Sequence, residues 1–305
     1  MKEAFINKNF RPETIGLIAE ASNIVDDYTH QGYTLSLRQL YYQLVSKNII
    51  ENTMRSYKRL ISIVRDARLA GFLDWDAIED RTRNISDFSF NESQTLAMRG
   101  LEYGIRFDYW GRQETYIEVW VEKDALQQVI SKACRKYDIP HMACKGYLSS
   151  SASYRAGKRF DRALDHGERC VLIHLGDHDP SGIDMTRDND DRIHTFARRS
   201  AGEVDVRRIA LNMNQIEEYS PPPNFAKETD SRAKDYIKKY GDESWELDAL
   251  EPTILNDLIT NEIEKFIDWD IWNETMQEEK EAREPLIAIR ENWFEVKAII
   301  QDRFL

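Results

Sequence analysis

The chain has 305 residues, 41% of them apolar and 31% charged, which suits a globular protein of about two domains with a core of its own. No run approaches the roughly 20 apolar residues of a membrane helix, and residues 1–8 lack the apolar centre of a secretion signal. Cys134, Cys144 and Cys170 are too few and too scattered for a disulfide scaffold or a zinc ribbon. A reducing cytoplasm and no membrane contact are therefore expected. The net charge of −12 argues against a polyanionic partner only on average. Residues 1–112 hold 15 basic and 15 acidic side chains, and residues 38–72 hold seven basic and two acidic ones. Screening confines exposed charges to about 10 Å, so a local basic stripe on an acidic protein still binds phosphate.

The first third reads as helical. Pro12 opens a segment of helical apolar spacing, proline being at home in a first turn. Ser36 has the residue type of an N-cap for a second helix over 37–47, and a third is predicted over 53–70, ended by Gly71. Three helices followed by Phe72–Ile78 suggest a helix-turn-helix with a short wing. At 100° per residue, Tyr57, Leu60, Val64 and Ala67 fall within about 80° of one another, and Arg55, Lys58, Arg59 and Arg65 fall opposite. That second face is expected to contact DNA, because recognition helices are basic and outward-facing. The alternative is a solvated basic surface.

From Thr115 strands and helices alternate. Strands are predicted over 116–121, 141–144, 170–175 and 204–211, and helices over 124–137, over 153–165 and through Thr195 and Phe196. Such alternation implies a parallel sheet covered on both faces. Pro221–Pro223 breaks the pattern, and the remainder to Leu305 is acidic, tryptophan-bearing and mostly helical, with no chemical reading of its own. The expected fold class is α/β in three segments: a helical winged-helix (helix-turn-helix) domain over 1–112, a parallel-sheet domain over 113–215, and a helical extension over 216–305 packed on the sheet domain.

Two of the strands end in acidic residues. Ile117–Val121 runs into Glu122, and Val171–Leu175 runs into Gly176-Asp177-His178-Asp179-Pro180-Ser181-Gly182. Open parallel sheets place their sites outside the carboxyl ends of strands, so Glu122, Asp177 and Asp179 are expected at one rim. Clustered carboxylates repel one another, and a hard divalent cation relieves them; an oxygen-only donor set with water selects Mg²⁺. Asp-x-Asp alone also reads as a turn or a helix cap.

An acidic strand end, a helix, and an apolar strand ending in Asp-x-Asp-Pro-x-Gly together resemble the Toprim domain of topoisomerases, primases and several nucleases. The resemblance implies that Glu122, Asp177 and Asp179 bind Mg²⁺ beside a scissile phosphate, with Glu122 also catalytic. Arg38-Gln-Leu-Tyr41-Tyr42 in turn resembles the Arg-x-x-Tyr-Tyr motif of the topoisomerase VI A subunit, whose family includes the meiotic double-strand-break protein. There a winged helix precedes a Toprim domain in the same order, a likeness covering roughly residues 30–210. It implies attack on double-stranded DNA by Tyr42, a 5′-phosphotyrosyl link, and a homodimer pairing the tyrosine of one protomer with the metal site of the other. No Gly-x-x-x-x-Gly-Lys-[Ser/Thr] loop occurs, so ATP-driven strand passage implies a separate ATPase subunit.

A phenol of ordinary pKa near 10 is a poor nucleophile. Arg38 lies four residues before Tyr42 on the same helix face and is expected to orient the phosphate or to lower the tyrosine's pKa. Plain packing of Tyr41 and Tyr42 stays open. The nuclease subunit of Wadjet-type plasmid-defence systems also combines a winged helix with Toprim and hydrolyses DNA, so water activated by Mg²⁺ is the second reading. A DNA-binding regulator with an inactive Toprim site is the third. Arg155 leads into Lys158, Arg159 and Arg162, spaced for one helical face that is either a second phosphate-contacting surface or a solvated helix, whereas His178 is expected to point away from its acidic neighbours. Trp245–Leu250 reads as an anchored helix start.

Overall fold

Local signals place the first three helices. Helix α1 (Pro12–His30) starts on its proline. Helix α2 (Leu37–Ser46) carries a capping box: Ser36 Oγ accepts from the Gln39 N–H, and the Gln39 side chain accepts from the Ser36 N–H. Helix α3 (Met54–Leu69) begins at Thr53, whose hydroxyl accepts from the Ser56 N–H. It is followed by Gly71 at a φ of +79°, where a Cβ would also lie 2.9 Å from that of Ala4. Leu60, Val64 and Ala67 are buried, while Arg55, Lys58, Arg59 and Arg65 face solvent, so the two opposed faces read from the spacing are present. The wing differs. Residues 72–78 contribute turns and a single backbone bridge, Leu35 to Ile78, but no strand.

The computed structural model describes residues 2–78, 94–197, 204–225 and 232–304; residues 79–93, part of the segment expected to form the winged helix, lie outside the described residues. Strands β1 (Thr115–Val121), β2 (His141–Ala143), β3 (Arg169–Leu175) and β4 (Val204–Ala210) form one parallel sheet in the order β2-β1-β3-β4. Helix α5 (Gln127–Lys136) links β1 to β2, α6 (Ser150–Asp165) links β2 to β3, and α7 (Pro180–Phe196) links β3 to β4. Right-handed crossovers put α5 on one face and α6 and α7 on the other. On the latter face Trp120, Phe160, Leu172 and Ile193 share a buried cluster. The chain leaves β1 in one direction along the sheet and β3 in the other, so the strand order reverses between them. Their carboxyl ends flank the crevice where α/β sheets bind ligands.

The same compact unit, residues 1–83 with 116–265, continues through α8 (Met213–Tyr219), β5 (Asn224–Phe225), α9 (Ala233–Tyr240), β6 (Glu243–Ser244) and α10 (Pro252–Glu264). Strands β5 and β6 pair antiparallel, and α10 packs on α5 through a buried stripe that includes Leu255, Ile259 and Ile263. Pro221–Pro223 therefore interrupts regular structure without ending the unit. Residues 84–115 and 266–305 form the second unit, built on α4 (Gln94–Gly104), α11 (Trp269–Glu291) and α12 (Trp293–Phe304). Within it Arg112 pairs with Glu274 and Glu278, Arg290 pairs with Glu102, and the Tyr109 and Trp272 rings lie 4.5 Å apart. Each unit is thus assembled from segments distant in sequence.

Candidate active site

Strands β1 and β3 end side by side, with the Glu122 N–H donating to the Leu175 carbonyl at 2.8 Å. Glu122 Oε2 in turn accepts from the Asp177 N–H at 2.8 Å. Burial raises the proton affinity of Glu122, with the Asp177 N–H and Lys123 opposing. Asp177 lies deeper, and burial pushes it well above the ordinary carboxylate range, with Lys123 opposing and Glu122 adding to the shift. Asp179 caps α7: its Oδ1 accepts from the Ser181 hydroxyl at 3.0 Å and the Gly182 N–H at 2.6 Å. A Cβ at Gly182 would stand 2.2 Å from the Asp177 carbonyl oxygen and 3.0 Å from Glu122 Oε2. Only glycine lets the start of α7 come this close to both carboxylate-bearing residues.

Arg208 on β4, which the sequence analysis did not single out, holds the loop from beneath. It donates to the carbonyls of Gly176, Asp177, Gly182 and Leu211 and to the Thr186 hydroxyl, at 2.6–3.2 Å. Burial brings its pKa down to about 10, with Glu122, Asp177 and Asp179 opposing. A guanidinium inside a strand carries no motif. Its role follows only from the sheet order that sets β4 beside β3.

Among the described residues no group of three His, Cys, Asp or Glu side chains is gathered to hold a metal ion. The oxygen donors suit a hard cation, and burial raises the proton affinity of both Glu122 and Asp177. By donor chemistry the residues fit Mg²⁺. In this arrangement, however, Asp177 Oδ1 takes the Leu247 N–H at 2.8 Å and Lys123 Nζ at 2.9 Å.

Lys123 is the hub of a half-buried ionic cluster. Its ammonium also lies 2.6 Å from Glu246 and 2.7 Å from Asp248. The same two carboxylates take Arg38: its Nη2 donates to Glu246, and its Nε lies 3.2 Å from Asp248. Lys123 and Arg38 outweigh the effect of burial and hold Glu246 down to about 2. Trp245–Leu250 is thus more than the helix anchor its sequence suggests. Trp245 exchanges both backbone hydrogen bonds with His178, at 2.8 and 2.9 Å. The His178 ring packs among Tyr236, Tyr240 and Trp245, with Nδ1 2.7 Å from the Tyr236 hydroxyl.

Tyr42 is 4% exposed, and its hydroxyl accepts from Asn224 Nδ2 at 3.2 Å. The Arg38 guanidinium lies 5.8 Å from its ring centroid. Arg38 pulls the tyrosine's pKa down as expected, but other influences outweigh it. Burial and then Glu246 push the phenol up to about 12 against the opposing pull of Asn224 and Arg38. Tyr41 is locked differently, with its hydroxyl 3.0 Å from Asn52 Oδ1 and its ring edge-on to Tyr42 and Tyr57. A cavity of about 220 Å³ is lined by Arg38, Tyr42, Asn224, Trp245 and Glu246 together with Asp179. The tyrosine read from one motif and an aspartate read from another face the same space.

The basic residues divide into two groups. Arg55, Lys58 and Arg59 on α3 are exposed and make no ion pair among the described residues, whereas Arg65 lies 2.9 Å from its neighbour Asp66. On α6, Arg159 grips Glu118 through Nε and Nη2, at 2.6 and 2.8 Å, and Lys158 pairs with Asp161 at 2.8 Å. Arg155 alone of that trio stands exposed. Comparison of the sequence with family models and with curated proteins finds no match.

Proposed function

We propose that the chain cleaves DNA strands by tyrosine transesterification, with a winged-helix-like N-terminal part and a Toprim-like sheet. The observation that carries this reading is the single cavity bounded by Tyr42, Arg38 and Asp179. In the proposed step Tyr42 Oη forms a bond to phosphorus and the P–O3′ bond breaks. The phenolic proton passes to water, and O3′ takes a proton to become a 3′-hydroxyl, leaving a 5′-phosphotyrosyl link. Arg38 orients the phosphate, and the exposed cations of α3 hold the flanking backbone. Glu122, Asp177 and Asp179 are the residues that would hold Mg²⁺, which when bound stabilises charge on the transferring phosphate. Tyr42 and Asp179 face one cavity of one chain, which supports attack within a protomer rather than across a homodimer. ATP-driven strand passage would fall to a separate subunit.

One observation favours a second reading. A phenol held at about 12 is almost entirely protonated at neutral pH, which suits hydrolysis by water at the same carboxylates with Tyr42 as a hydrogen-bonding wall. Both readings require Asp177. With supercoiled plasmid and Mg²⁺, Asp177→Ala is expected to abolish cleavage while leaving the fold and most DNA binding intact, as read by circular dichroism and a mobility shift. Undiminished cleavage by this variant would overturn both. DNA binding without cleavage by the unaltered chain would leave the regulator reading.

A further inference from the structure

The anion at the centre of the site is supplied by the chain itself. Glu246 receives Lys123 at 2.6 Å and the Arg38 guanidinium, and it lines the cavity that also holds Tyr42. Arg38 beside the Tyr42 ring, and Lys123 on the same carboxylate, are donors of the kind that a phosphodiester under attack by Tyr42 needs. A carboxylate and a phosphodiester each carry one negative charge, so one replaces the other without changing the charge balance of the half-buried cluster. Asp248, fully buried, stays against both cations as their fixed counter-ion. The segment carrying Glu246 also donates Leu247 N–H to Asp177 Oδ1, so one strap engages the cations and a carboxylate together.

We propose that Arg38 and Lys123 form the phosphodiester-binding site and that Glu246 is an internal phosphate mimic, which a DNA phosphate must displace. This rests on DNA being the ligand, as read above, and makes the resting chain self-inhibited. Lifting Glu246 away removes a carboxylate that raises the Tyr42 pKa and, through Leu247, takes one of two donors from Asp177 Oδ1.

The test is equilibrium binding of a short fluorescent DNA duplex to the full chain in chelator, where no Mg²⁺-dependent cleavage interferes, across a series of salt concentrations. Glu246→Gln keeps the shape and removes the competing charge. It is expected to bind about tenfold tighter at low salt, with the slope of log affinity against log salt steeper by about one contact. Glu243→Gln removes the same charge from an exposed neighbour and is expected to match the unaltered chain. Adding Arg38→Gln to Glu246→Gln is expected to cancel the gain. Equal affinity of Glu246→Gln and the unaltered chain, or an equal gain in Glu243→Gln, would overturn the proposal. Should Glu246→Gln fail to fold, Glu246→Asp, which withdraws the carboxylate by one methylene, is read against the same outcomes. Absence of strand breaks under Mg²⁺ would remove the cleavage reading yet leave this affinity comparison standing.

Discussion

Helices α3 and α6 look alike in sequence, each with basic residues at helical spacing, and the structure treats them in opposite ways. On α3 the cations of Arg55, Lys58 and Arg59 meet no carboxylate among the described residues. On α6 the Arg159 guanidinium closes over Glu118, a strand residue that is 2% exposed and also accepts from the Tyr116 hydroxyl and the Trp120 indole. Helical spacing says which way a cation points. Whether a counter-ion waits there depends on a partner 41 residues away. An exposed basic face without partners is available for phosphate, whereas a basic face already paired is part of the scaffold.

This contrast can be broken by three variants. The largest effect is expected from Arg159→Ala, which leaves the buried Glu118 charge with only its two neutral donors. Unfolding in urea should show a loss of about 2–3 kcal/mol, with the salt slope of DNA binding unchanged; a flattened slope would move Arg159 into the nucleic-acid interface. Next comes the pair Lys58→Ala and Arg59→Ala. Together they should flatten the slope of log affinity against log salt by roughly two while stability stays within about 0.5 kcal/mol. An unchanged slope would place the DNA surface elsewhere, with Arg155 next in line. The smallest effect is expected from Lys158→Ala. Its pair with Asp161 lies one helix turn away near solvent, and its loss should cost under about 0.5 kcal/mol with no change in DNA affinity.

Much of the fold was legible because its signals are local. Ser36, Thr53 and Gly71 mark helix ends through their own hydrogen bonds and φ angle, and the apolar runs of β1 and β3 announce strands buried on both faces. Glu122 and Asp177 were legible for the same reason, since each lies within two residues of the end of such a strand. The ionic cluster was not. Lys123 meets Glu246 across 123 positions and Arg38 meets Glu246 across 208, and none of the three changes the periodicity of its own segment. Arg208 was hidden likewise, its five acceptors being backbone carbonyls and one hydroxyl that no pattern of residue types records. The Tyr42 pKa was hidden in the same way: Arg38 was visible one turn away, whereas the burial of the phenol and the Glu246 carboxylate beside it were not.

The central claim is that Tyr42 attacks the phosphodiester in the cavity it shares with Asp179. The most direct measurement is cleavage of supercoiled plasmid with Mg²⁺, stopped with detergent and run with and without protease, for the unaltered chain and for Tyr42→Phe. The account predicts breaks that carry covalently bound protein until protease releases it, and a loss of several orders of magnitude in rate when the hydroxyl is removed. Free DNA ends without protease, together with a Tyr42→Phe rate within several-fold of the unaltered chain, would contradict it and leave hydrolysis at the carboxylates.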